Sequence, residues 1–336
     1  MTPLLQVKNL TVVFDTSAGR VQAVNDISYD LQLGETLGIV GESGSGKSVH
    51  ALAMVGLLAS PPARILGGEV WFNGRDLLQL SEPELRDIRG KEIGFVFQDP
   101  MTSLNPVLTI ERQITEPLRR HLGLSSTQAR QRALELLDLV GIVNPQLRLR
   151  QYPHELSGGM RQRVMIAIGV ACQPKLLIAD EATTALDVTV QAQILSLVRD
   201  LKRQLGTSVI WITHDMGVVA GLADTVQVMY GGRVMERGPV DALFDSPRSA
   251  YTWGLLQSLP GSLQPGDGRL YQIPGNPPDP IHLPKGDPFA PRNPFATVRC
   301  QQEVPPLRQV DNSVPGHLVA AWYNLSARLA TQGVGE

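Results

Sequence analysis

The chain has 336 residues, 43% hydrophobic and 18% charged, with a formal net charge of −2. That is an ordinary core-forming composition with room for one large domain plus a smaller one, and the near-neutral charge leaves no electrostatic case for nucleic acid as a main partner. The two cysteines, Cys172 and Cys300, lie far apart, show no metal-binding spacing and suit a reducing compartment.

Met1 to Phe14 carries one Lys and no long apolar core, so no signal peptide is expected there. Leu4 to Phe14 and Val21 to Leu33 alternate as strands do, with Asp15 to Arg20 as the turn. Leu37 to Val40 is a short apolar strand. It runs into Gly41-Glu42-Ser43-Gly44-Ser45-Gly46-Lys47-Ser48, and Ser48 to Leu58 reads as a packed helix. Strand, Gly-x-x-x-x-Gly-Lys-Ser and helix in this order form a phosphate-binding loop. The glycines let the backbone curl so that N–H groups point at an anion. Lys47 supplies a point charge for the outer phosphates, the Ser48 hydroxyl suits magnesium, and the helix N-terminus adds partial positive charge.

Gly68 to Phe72 is a further strand, with a hairpin turn at Asn73-Gly74. Ser81-Glu82-Pro83-Glu84 is a capping box that opens a helix to about Arg89. The apolar strands 93–97, 176–179 and 208–213 alternate with helical stretches and indicate a parallel α/β sheet. Gln98 follows the first of them, where a Gln alone is ordinary. Ile110 to His121 and Thr127 to Val140 have helical spacing, and Gly141 is a stop signal. Ser157-Gly158-Gly159 precedes the apolar helical run Val164 to Cys172, which is far short of the roughly 20 residues needed to span a bilayer. Ser157 serves as an N-cap in any case. With two bare glycine N–H groups beside it, the same helix start also suits a second anion site. The strand at 176–179 ends in Asp180-Glu181, and an acid there is costly unless it serves a cation or a reaction. His214 follows the strand at 208–213; alone it reads as a structural histidine. Thirteen of the 25 prolines fall between Pro260 and Pro315, which rules out regular helix or sheet there. Ile273, Phe289, Phe295 and Leu307 offer apolar anchors for an ordered, extended region, and Leu318 to Leu329 reads as a closing helix.

The order phosphate loop, Gln98, Leu156-Ser157-Gly158-Gly159, Asp180-Glu181, Ala185-Leu186-Asp187, His214 resembles that of the ABC (ATP-binding cassette) ATPases. The resemblance implies an α/β fold: a P-loop ABC cassette with a parallel RecA-like sheet core, a small antiparallel sheet and a helical subdomain, followed here by a Pro-rich C-terminal extension. The cassette is expected over 1–260, with the helical subdomain at about 104–165, and the extension over 261–336. ATP would lie on Gly41, Glu42, Ser43, Gly44, Ser45, Gly46, Lys47 and Ser48, with Asp187 in the D-loop. Ser157, Gly158 and Gly159 would contact the γ-phosphate held by a partner subunit. Ser48, Gln98 and Asp180 would hold Mg2+. Glu181 would polarise the attacking water, and His214 would sense the γ-phosphate. Phe14 is the candidate for stacking on adenine, and it fits a core position equally well.

Three passages narrow the resemblance to ATPases of oligopeptide and dipeptide importers: Phe97 to Pro106, Ser157 to Ala167 with its Met160, and the C-terminal runs Tyr251 to Leu256 and Ile273 to Pro278. The chain is most similar to the first of two paired ATPases. This implies a second homologous ABC ATPase as partner, with a heterodimer favoured, two transmembrane permease subunits, and an extracellular or periplasmic substrate-binding protein. The expected location is peripheral, at the cytoplasmic face of the cell (inner) membrane. Nickel or oligosaccharide importers use similar ATPases. A soluble ribosome-acting ABC protein would need a second cassette and basic segments, and a chromosome or repair ATPase would need a long heptad insertion; neither is present. Many ATPases in this group carry four C-terminal cysteines for an iron–sulfur cluster. The matching positions here are Asp287, Asn293, Cys300 and Ala321, so no cluster is expected.

Overall fold

The computed structural model describes residues 2–184, 186–259, 271–310 and 314–331. The described chain forms two compact units. The first comprises Met1–Leu31, Leu37–Leu78 and Thr213–Glu336, and the second Gln32–Thr36 and Gln79–Ile212.

In the first unit, a small antiparallel sheet runs in the order Gly19–Leu31, Leu5–Thr16, Ala63–Phe72, Arg75–Asp76. Its register sets Leu5 opposite both Leu31 and Phe72. Asn73 and Gly74 take the positive φ angles, 48° and 80°, that a tight hairpin needs. The strand Thr36–Val40 is buried at all five residues and pairs in parallel with Thr225–Tyr230. The antiparallel strands Arg233–Pro239, Leu318–Val319 and Arg308–Gln309 continue from that pair. The helix after the phosphate loop, Lys47–Met54, is shorter than expected.

The described residues of the Pro-rich region pack as ordered chain, and the expectation of no regular helix or sheet there is corrected: Val298–Gln302 is helical and Arg308–Gln309 is a strand, each in a short run free of proline. Phe289, Phe295 and Leu325 share a core with Val40, Val228, Tyr230 and Tyr251, and the Phe289 ring meets that of Tyr230 edge-on and that of Tyr251 at a tilt. The expected helix over 318–329 is corrected. Leu318–Val319 is a strand and only Leu325–Thr331 is helical. The competing pull is the open edge of Arg233–Pro239, where backbone pairing satisfies donors that helix formation would otherwise satisfy.

In the second unit, Ile93–Val96, Leu176–Asp180 and Ser208–Thr213 form parallel strands, Ile93 aligned with Leu176 and Leu176 with Ser208. The last two are buried throughout, as strands covered on both faces are. Helices Ile110–Leu122, Ser126–Leu139 and Gly158–Val170 pack together around Ile114, Leu118, Leu136, Leu137 and Val164. Their ends follow local chemistry. Ser125 and Gln128 exchange reciprocal cap bonds of 3.0 and 3.3 Å, and Gly123 stops its helix at φ 65°. The expected box at Ser81 also forms, its N–H donating to Glu84 at 2.8 Å. Among the described residues no helix is long and apolar enough to cross a membrane.

Candidate nucleotide site

The phosphate loop follows a fully buried strand. Gly41, Gly44 and Gly46 have φ angles of 154°, 77° and 94°. A Cβ at Gly41 would lie 2.1 Å from the Met229 carbonyl oxygen, and one at Gly46 would lie 2.3 Å from that of Ala23. Side chains are therefore excluded at both positions by backbone. Lys47 is buried, and its Nζ donates to the carbonyls of Gly41 at 2.8 Å and Glu42 at 2.9 Å. That holds a cation on a loop whose positive-φ glycines suit a backbone turn around phosphate. Ser43 and Gly44 are exposed, and Ser48 is half-buried on the first turn of the helix. Behind that turn, burial holds His50 neutral by pulling its pKa down to about 4, and its Nε2 lies 3.2 Å from the Tyr29 hydroxyl. Phe14 is half-buried on the Leu5–Thr16 strand, opposite Val21 and Ala63.

In the other unit, Asp180 is the buried last residue of its strand. Glu181 follows at φ 46°, a left-handed conformation that costs a non-glycine residue about 1–3 kcal/mol. Its N–H is held by the Ile212 carbonyl at 2.9 Å. Its Oε2 accepts from Gln98 Nε2 at 2.7 Å and from Thr184 Oγ1 at 3.2 Å. Backbone and side chain together thus fix a carboxylate at a strand end, as a group that orients water requires. The strand alignment of Ile93–Val96 with Leu176–Asp180 brings Gln98 there.

Ser157 caps the helix Gly158–Val170 by accepting from the Met160 N–H at 3.4 Å, and Ser157 and Gly158 are exposed. A Cβ at Gly158 would meet nothing within 4 Å, so packing among the described residues does not require a glycine there. Asp187 caps Val188–Leu205, accepting from Val190 at 2.9 Å; Ala185, the first residue of the same motif, lies outside the described residues. His214 is exposed, directly after Ser208–Thr213.

Residues 24–184 match the ABC transporter family and residues 235–300 the oligopeptide/dipeptide transporter C-terminal region. The chain is 53% identical over 322 residues to the oligopeptide transport ATP-binding protein OppD of Bacillus subtilis (strain 168), covering 96% of this chain and 89% of that one. It is 51% identical over 320 residues to the dipeptide transport ATP-binding protein DppD of Lactococcus lactis subsp. cremoris (strain MG1363), covering 95% and 90%. The chain belongs to this family of ABC transporter ATP-binding proteins. Among solved structures, a dimeric ATP-binding cassette in a post-hydrolysis state bound to ADP and Pi resembles it at a TM-score of 0.64 and 30% identity, over 70% of this chain and 98% of that one.

The α/β cassette fold expected from the motifs is thereby borne out, and the chain is an ABC-type ATPase. Two groups of contacts in this ABC ATPase escape a reading of the sequence. Thr184 bonds the Glu181 carboxylate. From the C-terminal part, Tyr251 accepts the Glu42 N–H at 2.8 Å and Arg292 pairs with the Glu42 carboxylate at 2.7 Å. Tyr251 lies in one of the runs that carry the importer resemblance, but nothing in that run says which backbone group its hydroxyl meets.

Proposed function

We propose that the chain is the ATP-binding and ATP-hydrolysing subunit that powers an ABC importer of di- or oligopeptides. Residues 1–260 would form the cassette and 261–336 the importer-type extension. ATP would bind on Gly41 to Ser48, with Phe14 against the adenine and Asp187 nearby in the D-loop. The oxygen donors of Ser48, Gln98 and Asp180 suit a hard cation, so they would hold the Mg2+ that offsets phosphate charge. Glu181 would orient the attacking water, and His214 would sense the γ-phosphate.

The observation that carries this chemistry is the Glu181 carboxylate, locked by Gln98 and Thr184 beside buried Asp180. The exposed Ser157-Gly158 start of the helix, with half-buried Gly159 behind it, supports action on ATP held by a second, related ATPase, so that the working unit is a head-to-tail pair, a heterodimer by preference. ATP would close the pair and hydrolysis release it. Permease subunits fit the run around and after Gln98, where Phe97, Met101 and Val107 are exposed at 39%, 54% and 75%. The chain would then sit peripherally at the cytoplasmic face of the membrane, with a substrate-binding protein on the other side. The peptide class rests on the relatives' names and on the C-terminal match.

The test is the transporter reconstituted in proteoliposomes with its partner ATPase, permeases and binding protein. Peptide should stimulate ATP turnover and be taken up. Glu181→Gln should retain ATP binding, trap the closed pair and lower turnover by about 100-fold or more. Near-normal turnover in Glu181→Gln would remove Glu181 from its role. Uptake of nickel or an oligosaccharide, with no response to peptide, would reassign the cargo.

A further inference from the structure

Arg292 lies in the Pro-rich C-terminal part, 250 residues along the chain from Glu42 of the phosphate loop. Its side chain is only 7% exposed, and that of Glu42 is 26%. The guanidinium donates to Glu42 Oε2 at 2.7 Å, to the Tyr230 hydroxyl at 3.0 Å and to the Pro274 carbonyl at 2.8 Å. Its charge also lies over the rings of Tyr230 and Phe289. Beside it, the Tyr251 hydroxyl accepts the Glu42 N–H, so both side chain and backbone of that one loop residue are held by groups beyond residue 250. The Glu42 carbonyl is in turn one of the acceptors of Lys47. Pro277 and Pro278 wall a cavity of about 220 Å3 against Ser43 and Gly44, on the same side of the loop.

We propose that Arg292 is a positioning residue for the nucleotide site. Through Glu42 it fixes the start of the phosphate loop and, with Tyr251, the backbone carbonyl that aims Lys47. The C-terminal extension is thus a structural part of the phosphate-binding apparatus, and its order and ATP affinity are linked in both directions. A nearly buried guanidinium suits this task. Its fork engages a carboxylate and a carbonyl in fixed geometry, and removing it strands a partly buried charge. The inference rests on the loop binding ATP, as proposed above.

The experiment uses the full chain in its transporter complex. ATP titrations of turnover give KM and kcat, a fluorescent ATP analogue gives affinity, and thermal melting is followed in parallel. Arg292→Met and Glu42→Gln should each raise KM for ATP by about tenfold, as loss of a charge-assisted bond implies, with kcat within about threefold. Because both act through one contact, the double variant should be no worse than about twofold beyond the worse single variant. Arg292→Lys should recover part of the affinity. Glu42→Gln leaves the buried tail side chains intact and keeps the test valid if Arg292→Met folds poorly. The proposal is overturned if Arg292→Met melts earlier while KM stays within about twofold, or if the two single effects multiply in the double. A parent whose affinity is unchanged by Lys47→Ala would instead overturn the nucleotide reading itself, and this inference with it.

Discussion

Asp287 is a carboxylic acid almost entirely out of water, with Oδ1 accepting from the Phe289 N–H at 2.9 Å. Burial pushes its pKa up to about 6 from an ordinary 3.8, partly countered by that bond. The folded state therefore binds this proton more tightly than the unfolded chain does. The stability it contributes is complete below about pH 4 and is lost as pH rises through about 6. Asp287→Asn keeps an oxygen for the Phe289 N–H and never ionises. Its melting temperature should exceed the parent's clearly at pH 7.5 and by much less at pH 4.5. An equal difference at both pH values would show that the carboxyl is hydrated. The neighbouring candidates for cluster ligands are also committed locally. Asn293 accepts from the Phe295 N–H and donates to the Tyr323 hydroxyl, while the Cys300 sulfur lies 3.3 Å from the Thr297 hydroxyl. A single thiol with an amide and a carboxylic acid does not fit a four-thiolate iron–sulfur cluster.

At the scale of elements, the contact between the Ile93–Val96 strand and the Gly158–Val170 helix depends on two bare glycines. A Cβ at Gly94 would lie 2.0 Å from the Gly169 carbonyl oxygen. Backbone cannot rotate away as a side chain can, so strand or helix must move. Gly94→Ala should cost about 3 kcal/mol or more, at the upper end for overpacking. The urea midpoint should fall at an unchanged m-value. Because Ser157 caps this same helix, turnover in the assembled transporter should fall as well. An unchanged midpoint would mean that the helix lies further from the strand than described. Most elements here were legible from local chemistry. Ser81 and Asn73-Gly74 announce their cap and turn, and the apolar runs at 176–179 and 208–213 announce buried strands. The strand Leu318–Val319 was not legible. Its sequence tolerates helix, and only the open edge of Arg233–Pro239 decides the matter.

For the whole molecule, the balance of exposed features matters. The bare Ser157-Gly158 turn and the apolar surface of Phe97, Met101 and Val107 are exposed among the described residues. Purified alone, it should bind ATP, yet turnover should be low and unresponsive to peptide. If a second ATPase completes the site as proposed, its addition with the permeases should raise turnover by about tenfold or more. Full peptide-stimulated activity of the isolated chain, followed by phosphate release, would contradict a site completed by a second subunit.

The sequence alone determined the motifs. The phosphate loop, the acid pair Asp180-Glu181, the Ser-Gly-Gly turn and their order are local patterns, legible in residue type and spacing. Tertiary structure alone decided which distant groups hold those patterns in place. Gln98 and Thr184 meet on one oxygen of Glu181. Arg292 reaches across 250 residues to Glu42, and Asp287 loses the water that would keep its pKa ordinary. The physical reason is that a turn or a cap is settled by neighbours within a few bonds, whereas a long-range ion pair or a buried acid depends on which surfaces close against each other. That closure is set by packing summed over the core, and no single stretch of sequence records it.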